Sequence, residues 1–205
     1  MKREFKHFKI TYSLIALCIF VYLISFVLYG PAMDVYEAYT FGGFFPASIQ
    51  YNHEYWRFIT ANFIHFGLFH LIMNCYSMKN VGQVVELSFT PKEYIAILFT
   101  CMVTTNLFPY IMARVFQVGV NTISGGISGV IFGMLGCICV LAYFYKGVYH
   151  SIYQQLLPSI VLMFVISVSV PSISLFGHLG GFVGGVIATY VIVKMRRKKH
   201  TVLYN

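Results

Sequence analysis

Six long runs almost free of charged residues recur along this chain, near Ile10–Tyr29, Phe66–Val85, Tyr94–Met112, Ser128–Tyr145, Ile152–Val170 and Gly177–Val193. Hydrocarbon offers a backbone no hydrogen-bonding partner. A run of about 20 apolar residues therefore has to pair its own N–H and C=O groups, as a helix. The expected fold is all-α, a polytopic membrane bundle of six transmembrane helices. Composition agrees, with 59% of residues hydrophobic and 10% charged, and it excludes an ordinary soluble domain.

An even number of spans leaves both termini on one side, and Lys and Arg decide which side that is. With the N-terminus inside, the inner segments hold Lys2, Arg3, Lys6, Lys9, Lys79, Lys92, Lys146, Lys194, Arg196, Arg197, Lys198 and Lys199. The outer loops hold only Arg57 and Arg114. The expectation is a multi-pass protein of a bacterial plasma membrane with both termini cytoplasmic. Residues 1–9 are then a basic N-terminus, 10–194 the six-helix domain, and 195–205 a basic tail. This orientation, with attraction to anionic lipid headgroups, accounts for the net charge of +8, so the run from Met195 to Lys199 needs no nucleic-acid partner. The first run lacks a small-residue cleavage site and reads as a retained signal anchor. Cys18, Cys75, Cys101, Cys137 and Cys139 form no Cys-x-x-Cys pair and read as small core residues.

Chemistry enters at two motifs. Gly126-Ile127-Ser128-Gly129 opens the fourth run, and Gly177-His178-Leu179-Gly180-Gly181 opens the sixth. Even-numbered spans all begin at the outer surface. Ser128 and His178 should therefore lie at one depth in the outer half of the bilayer, together with His65, His70 and Asn74 at the start of span two. Small residues at four-residue spacing, Gly125, Gly129 and Gly133 on one helix and Gly177, Gly181 and Gly185 on the other, allow close helix approach. Packing explains the glycines but not a serine and a histidine delivered to the same level.

A hydroxyl becomes an effective nucleophile when a base takes its proton, and neutral imidazole suits that task near neutral pH. None of the six acids, Glu4, Asp34, Glu37, Glu54, Glu86 and Glu93, lies near Ser128 or His178 in sequence, so a two-membered Ser–His pair is expected. Phe132, one turn after Ser128, is either a platform for the imidazole or an ordinary core aromatic. His70 and Asn74 share a helical face and can donate to a developing oxyanion, with the Ser128 N–H at the helix start as a third donor. His65 reads as a cap or loop hydrogen-bonding residue. Its five-residue spacing from His70 would turn the two roughly 140° apart on a 3.6-residue helix, which disfavours zinc. No metal or organic cofactor is expected. Ser124 also precedes a glycine but belongs to the outer loop.

Taken together, these residues resemble the rhomboid intramembrane serine proteases. Trp56-Arg57 resembles that family's loop-one pair, and His65 through Asn74 its His-x-x-x-x-His-x-x-x-Asn signature. Gly126-Ile127-Ser128-Gly129 looks like its Gly-x-Ser-Gly motif, and His178 with Gly181 and Gly185 like its sixth helix. The resemblance implies Ser128 as nucleophile, His178 as general base, and His70, Asn74 and the Ser128 N–H as the oxyanion site. It further implies a membrane-embedded loop between spans one and two, a cap formed by residues 171–176, and a lateral gate in span five. Phe132 stands where well-studied members carry tyrosine. The expected activity is hydrolysis of peptide bonds in or near transmembrane segments of other membrane proteins. The alternative is an inactive rhomboid-like protein that binds membrane clients. A small transporter fits poorly, since the spans hold almost no acids.

Overall fold

The computed structural model describes residues 8–169 and 174–203. Among them the regular elements are helical, with two isolated antiparallel bridges, Ala32 to Gly67 and Phe44 to Ser124. The helices are α1 (Lys9–Tyr29), α2 (Val35–Thr40), α3 (Pro46–Asn52), α4 (Arg57–Thr60) with a 3-10 turn (Ala61–Phe63), α5 (Leu68–Ser88), α6 (Pro91–Phe116), α7 (Ser128–Phe144), α8 (Val148–Ser169) and α9 (Leu175–Leu203). The protein is a polytopic helical membrane bundle.

Lys9–Tyr29, Pro91–Phe116 and Leu175–Lys198 are long and apolar enough to cross a membrane, while Ser128–Phe144 is apolar but shorter. The short helix is the central one, with thirteen of its seventeen residues buried. α1 lies at the opposite extreme. Only 22% of its apolar window is covered, and Val27 and Leu28 stand open as a lipid-facing surface would. α5 combines both characters, burying Leu71, Asn74, Met78, Val81 and Val85 as one stripe at helical spacing.

Glycine holds α7 against α9. A Cβ on Gly181 would land on the Gly129 carbonyl oxygen, and one on Gly185 on the Gly133 carbonyl oxygen, so the two backbones touch. Gly180 and Gly184 use the neighbouring face of α9 to admit the backbone and side chain of Thr104 on α6. Gly125 and Gly177, expected to extend the two ridges, do not. Gly125 precedes α7 and lies against the Ile64 and Ala61 carbonyls, and Gly177 faces Ser174 and the Thr105 carbonyl. Gly125 falls before α7 begins, and Gly177, in the first turn of α9, has Ser174 and α6 nearest rather than α7.

Polar ties fix the ends. The Glu86 carboxylate on α5 accepts Ile10 N–H at 3.0 Å and Thr11 N–H at 2.9 Å, capping α1, whose own N-cap Phe8 supplies no side-chain bond. Thr90 and Glu93 form a capping box that starts α6. Arg196 on α9 reaches Glu93 through Nε at 2.9 Å and through Nη2, and donates to the Ser88 carbonyl at 3.1 Å. The basic run that includes Arg196 is therefore a continuation of helix α9. Lys79, counted with the inner charges, lies on the exposed side of α5. Of the expected cap, residues 171–173 lie outside the described residues.

Between α1 and α5, Arg57 organises the three short helices. It is 3% exposed, and its Nη1 donates to the carbonyls of Tyr39 at 2.8 Å and Gly43 at 2.7 Å, while Nε pairs with Glu54 at 2.6 Å. The guanidinium also lies 4.4 Å from the ring centres of both Tyr39 and Trp56. Asn62 and Asn106 donate to the Phe58 carbonyl at 2.9 Å and 2.8 Å, joining this segment to α6.

Candidate active site

Two helix starts meet here. Gly126 adopts φ +120°, a conformation other residues rarely reach, and turns the chain so that Ser128 becomes the first residue of α7. At that position no carbonyl four residues back can pair with its N–H. On α9, the Ser174 hydroxyl accepts Gly177 N–H at 3.1 Å as an N-cap, which starts the helix just before His178. The sequence reading passed over this cap, although a serine three residues ahead of a glycine-rich apolar run is its usual signal.

The Ser128 Oγ lies 2.9 Å from His178 Nε2. In the tautomer that carries its proton on Nδ1, the hydroxyl can donate to Nε2 across this distance. Phe132 lies flat on the His178 ring, with centroids 4.1 Å apart and planes at 13°. Phe132 is completely buried and His178 is 8% exposed, so the contact is removed from bulk solvent.

His70 and Asn74 reach the same turn from α5. A Cβ on Gly126 would stand 2.8 Å from His70 Nε2 and 3.4 Å from Asn74 Nδ2, so only glycine leaves room for both side chains there. Asn74 Nδ2 is buried with no hydrogen-bond partner among the described residues. A buried donor without a partner carries a desolvation cost of about 1–3 kcal/mol, which an arriving acceptor would relieve.

His65 differs from its helical expectation. It precedes α5 in an extended turn, so the 140° separation does not apply, and its ring meets His70 edge to face at 5.0 Å. Its Nδ1 donates to the Phe63 carbonyl at 3.1 Å, while Nε2 is buried without a described partner. Among the described residues no three His, Cys, Asp or Glu side chains come together as a metal site. Trp56 and Arg57 act on the segment before the site rather than within it. Ser124 exchanges backbone hydrogen bonds with Phe44 and is committed to that bridge.

The five described acids are engaged elsewhere. Asp34 and Glu37 cap α2, Glu54 holds Arg57, Glu86 caps α1, and Glu93 holds Arg196. Phe164 and Phe182, which the sequence reading did not single out, pack behind the imidazole platform.

A helical membrane bundle in which a serine hydroxyl meets an imidazole at the start of two touching helices has the side-chain pairing used by serine hydrolases. Residues 52–195 match the Rhomboid domain, and the chain belongs to the Rhomboid family. It is similar to rhomboid protease GlpG of Haemophilus influenzae, 23% identical over 196 residues that cover 92% of this chain and 93% of that protein. Rhomboid protease GluP of Bacillus subtilis is 26% identical over 136 residues, covering 66% of this chain and 25% of its own. Inactive RHOMBOID-like protein 8 of Arabidopsis thaliana is 29% identical over 160 residues, covering 75% of this chain and 42% of its own. The chain thus spans under half the length of the latter two.

Proposed function

We propose that the protein is an intramembrane serine endopeptidase that hydrolyses peptide bonds in or near the transmembrane segments of other membrane proteins. The observation that carries this reading is the 2.9 Å contact between Ser128 Oγ and His178 Nε2. As Oγ attacks the scissile carbonyl carbon, His178 takes its proton, and the bond to the carbonyl oxygen opens to an oxyanion. His70, Asn74 and the Ser128 N–H stabilise that charge, each donor being worth roughly 10²–10³ in rate in favourable cases. His178 returns the proton to the departing amine. Water, activated by the same imidazole, then releases the acyl group from Ser128.

The site opens to the outer half of the bilayer with both termini cytoplasmic, an orientation supported by the asymmetry of Lys and Arg. There a substrate helix can unwind and water can arrive. The substrate enters from the lipid, and residues 35–63, held by Arg57, lie in the membrane beside the site.

Relatives named as proteases and one named inactive both match this chain, so turnover is the point to test. The purified protein in proteoliposomes should cleave a single-span substrate and take up a fluorophosphonate on Ser128. Both properties should vanish in Ser128→Ala and His178→Ala. An unlabelled, non-cleaving wild type would favour a client-binding protein instead, and cleavage surviving either substitution would remove the mechanism.

A further inference from the structure

One ring from α8 touches the residue a turn below each member of the Ser–His pair. Phe132 lies four residues after Ser128, and Phe182 four after His178. Phe164 meets Phe132 edge-on, with centroids 4.7 Å apart and planes at 66°, and meets Phe182 in the same way at 5.9 Å and 77°. It is a wedge between α7 and α9 one turn below the level where those helices present Ser128 and His178.

The imidazole platform can be steadied by such a wedge. The described acids are all committed elsewhere, and Phe132 has no hydroxyl with which to fix its own ring. Flat contact between two π faces resists separation but permits sliding and rotation, whereas a further ring packed at a steep angle restrains that motion. Phe164 makes such a contact with Phe132 and packs in the same way on Phe182.

The helix carrying the wedge is held at its inner end. The Tyr149 hydroxyl donates to Ser88 Oγ at 3.0 Å, and Ile152, Tyr153 and Leu156 pack on the core. Pro158 then interrupts the helix ladder, having no N–H for the Gln154 carbonyl. Beyond it Ile160 and Phe164 face the bundle, while Val161, Leu162 and Val165 are open.

We propose that Phe164 is a positioning residue for the reaction: by pressing on Phe132 it sets the plane of the His178 ring, which ties the readiness of the dyad to the position of the outer half of α8. This rests on the proteolytic reading above. An outward swing of α8 about Pro158 withdraws the edge from Phe132. The imidazole is then aligned with Ser128 only when α8 packs home.

A small fluorophosphonate separates this role from substrate admission, because it reacts with Ser128 without a helix having to enter. Phe164→Ala and the volume-keeping Phe164→Leu should each label roughly tenfold more slowly, and Phe164→Tyr at close to the wild-type rate. With a transmembrane substrate, kcat should fall by the same factor while KM stays put. Labelling at the wild-type rate in the Ala and Leu variants, or a raised kcat as expected from removing an obstruction, would overturn the proposal.

A wild type that takes up no probe would sink the proteolytic reading, yet the wedge itself is still measurable in protein labelled with 13C at His Cε1. The stacked His178 ring should give a ring-current-shifted resonance that moves in Phe164→Leu and not in Phe164→Tyr. A resonance unmoved in the Leu variant overturns the positioning role whatever the activity.

Discussion

The carbonyl oxygen of Gly129 lies where a side chain on Gly181 would begin. Gly129 follows Ser128 directly and Gly181 lies three residues after His178, so this backbone contact sets the separation of the two polar side chains. Gly181→Ala or Gly185→Ala must spread α7 from α9. A cost of about 1–3 kcal/mol is expected from overpacking, seen as a lowered melting temperature in detergent. Probe uptake should fall further than the melting curve alone implies. Gly147→Ala offers the contrast. Gly147 has φ +80° and no atom within 4 Å of a new Cβ, so only backbone strain of about 1–2 kcal/mol is expected and the dyad should keep its rate.

Asn74→Ala and His70→Ala should each slow cleavage by roughly 10²–10³ without unfolding the bundle, because in the proposed reaction these groups stabilise charge and form no covalent bond. Asn74 Nδ2 has no described partner to lose, so the melting temperature of Asn74→Ala should stay near that of the wild type. A large loss of stability at an unchanged rate would assign Asn74 to packing instead.

Acid should silence the reaction. The proposed general base would work only while His178 Nε2 holds a free lone pair, and protonation of an imidazole removes it. The expected profile of kcat/KM falls as pH drops through the titration of His178 and levels off above it. A rate climbing steadily on acidification would contradict the assignment.

Arg57→Ala leaves Glu54 without its cation and strips the donor from the Tyr39 and Gly43 carbonyls. Arg57 is buried but Glu54 is a quarter exposed, so the loss should fall below the roughly 3–5 kcal/mol of a fully buried pair. Limited proteolysis should then open residues 35–63 while α6, α7 and α9 stay protected. Arg57→Lys keeps the charge but loses the fork, and should lie between the two.

Much of the bundle was legible because the constraint is local. An uncharged run must be a helix in hydrocarbon, and α1, α5, α6 and α7 begin and end within a few residues of the runs read from sequence, while α9 continues ten residues past Val193 to Leu203. The extended turn at His65 was not. A pattern of His and Asn spacings carries no mark of where the helix starts, and Leu68 rather than Phe66 is its first residue. Phe164 escaped for a different reason, since in a chain with 20 phenylalanines nothing local separates a wedge from a lipid-facing ring.

The sequence by itself determined the helical membrane class, the family, and the short list of polar residues worth watching, because each follows from a property of a contiguous segment: hydropathy, charge or motif. Only the tertiary structure decided that the Ser128 hydroxyl meets His178 at 2.9 Å, that Gly126 makes room for His70 and Asn74, and that Phe164 packs on Phe132 from a third helix. Those relations join residues up to dozens of positions apart, and their distances are set by how closely glycine lets backbones approach, which no single segment encodes.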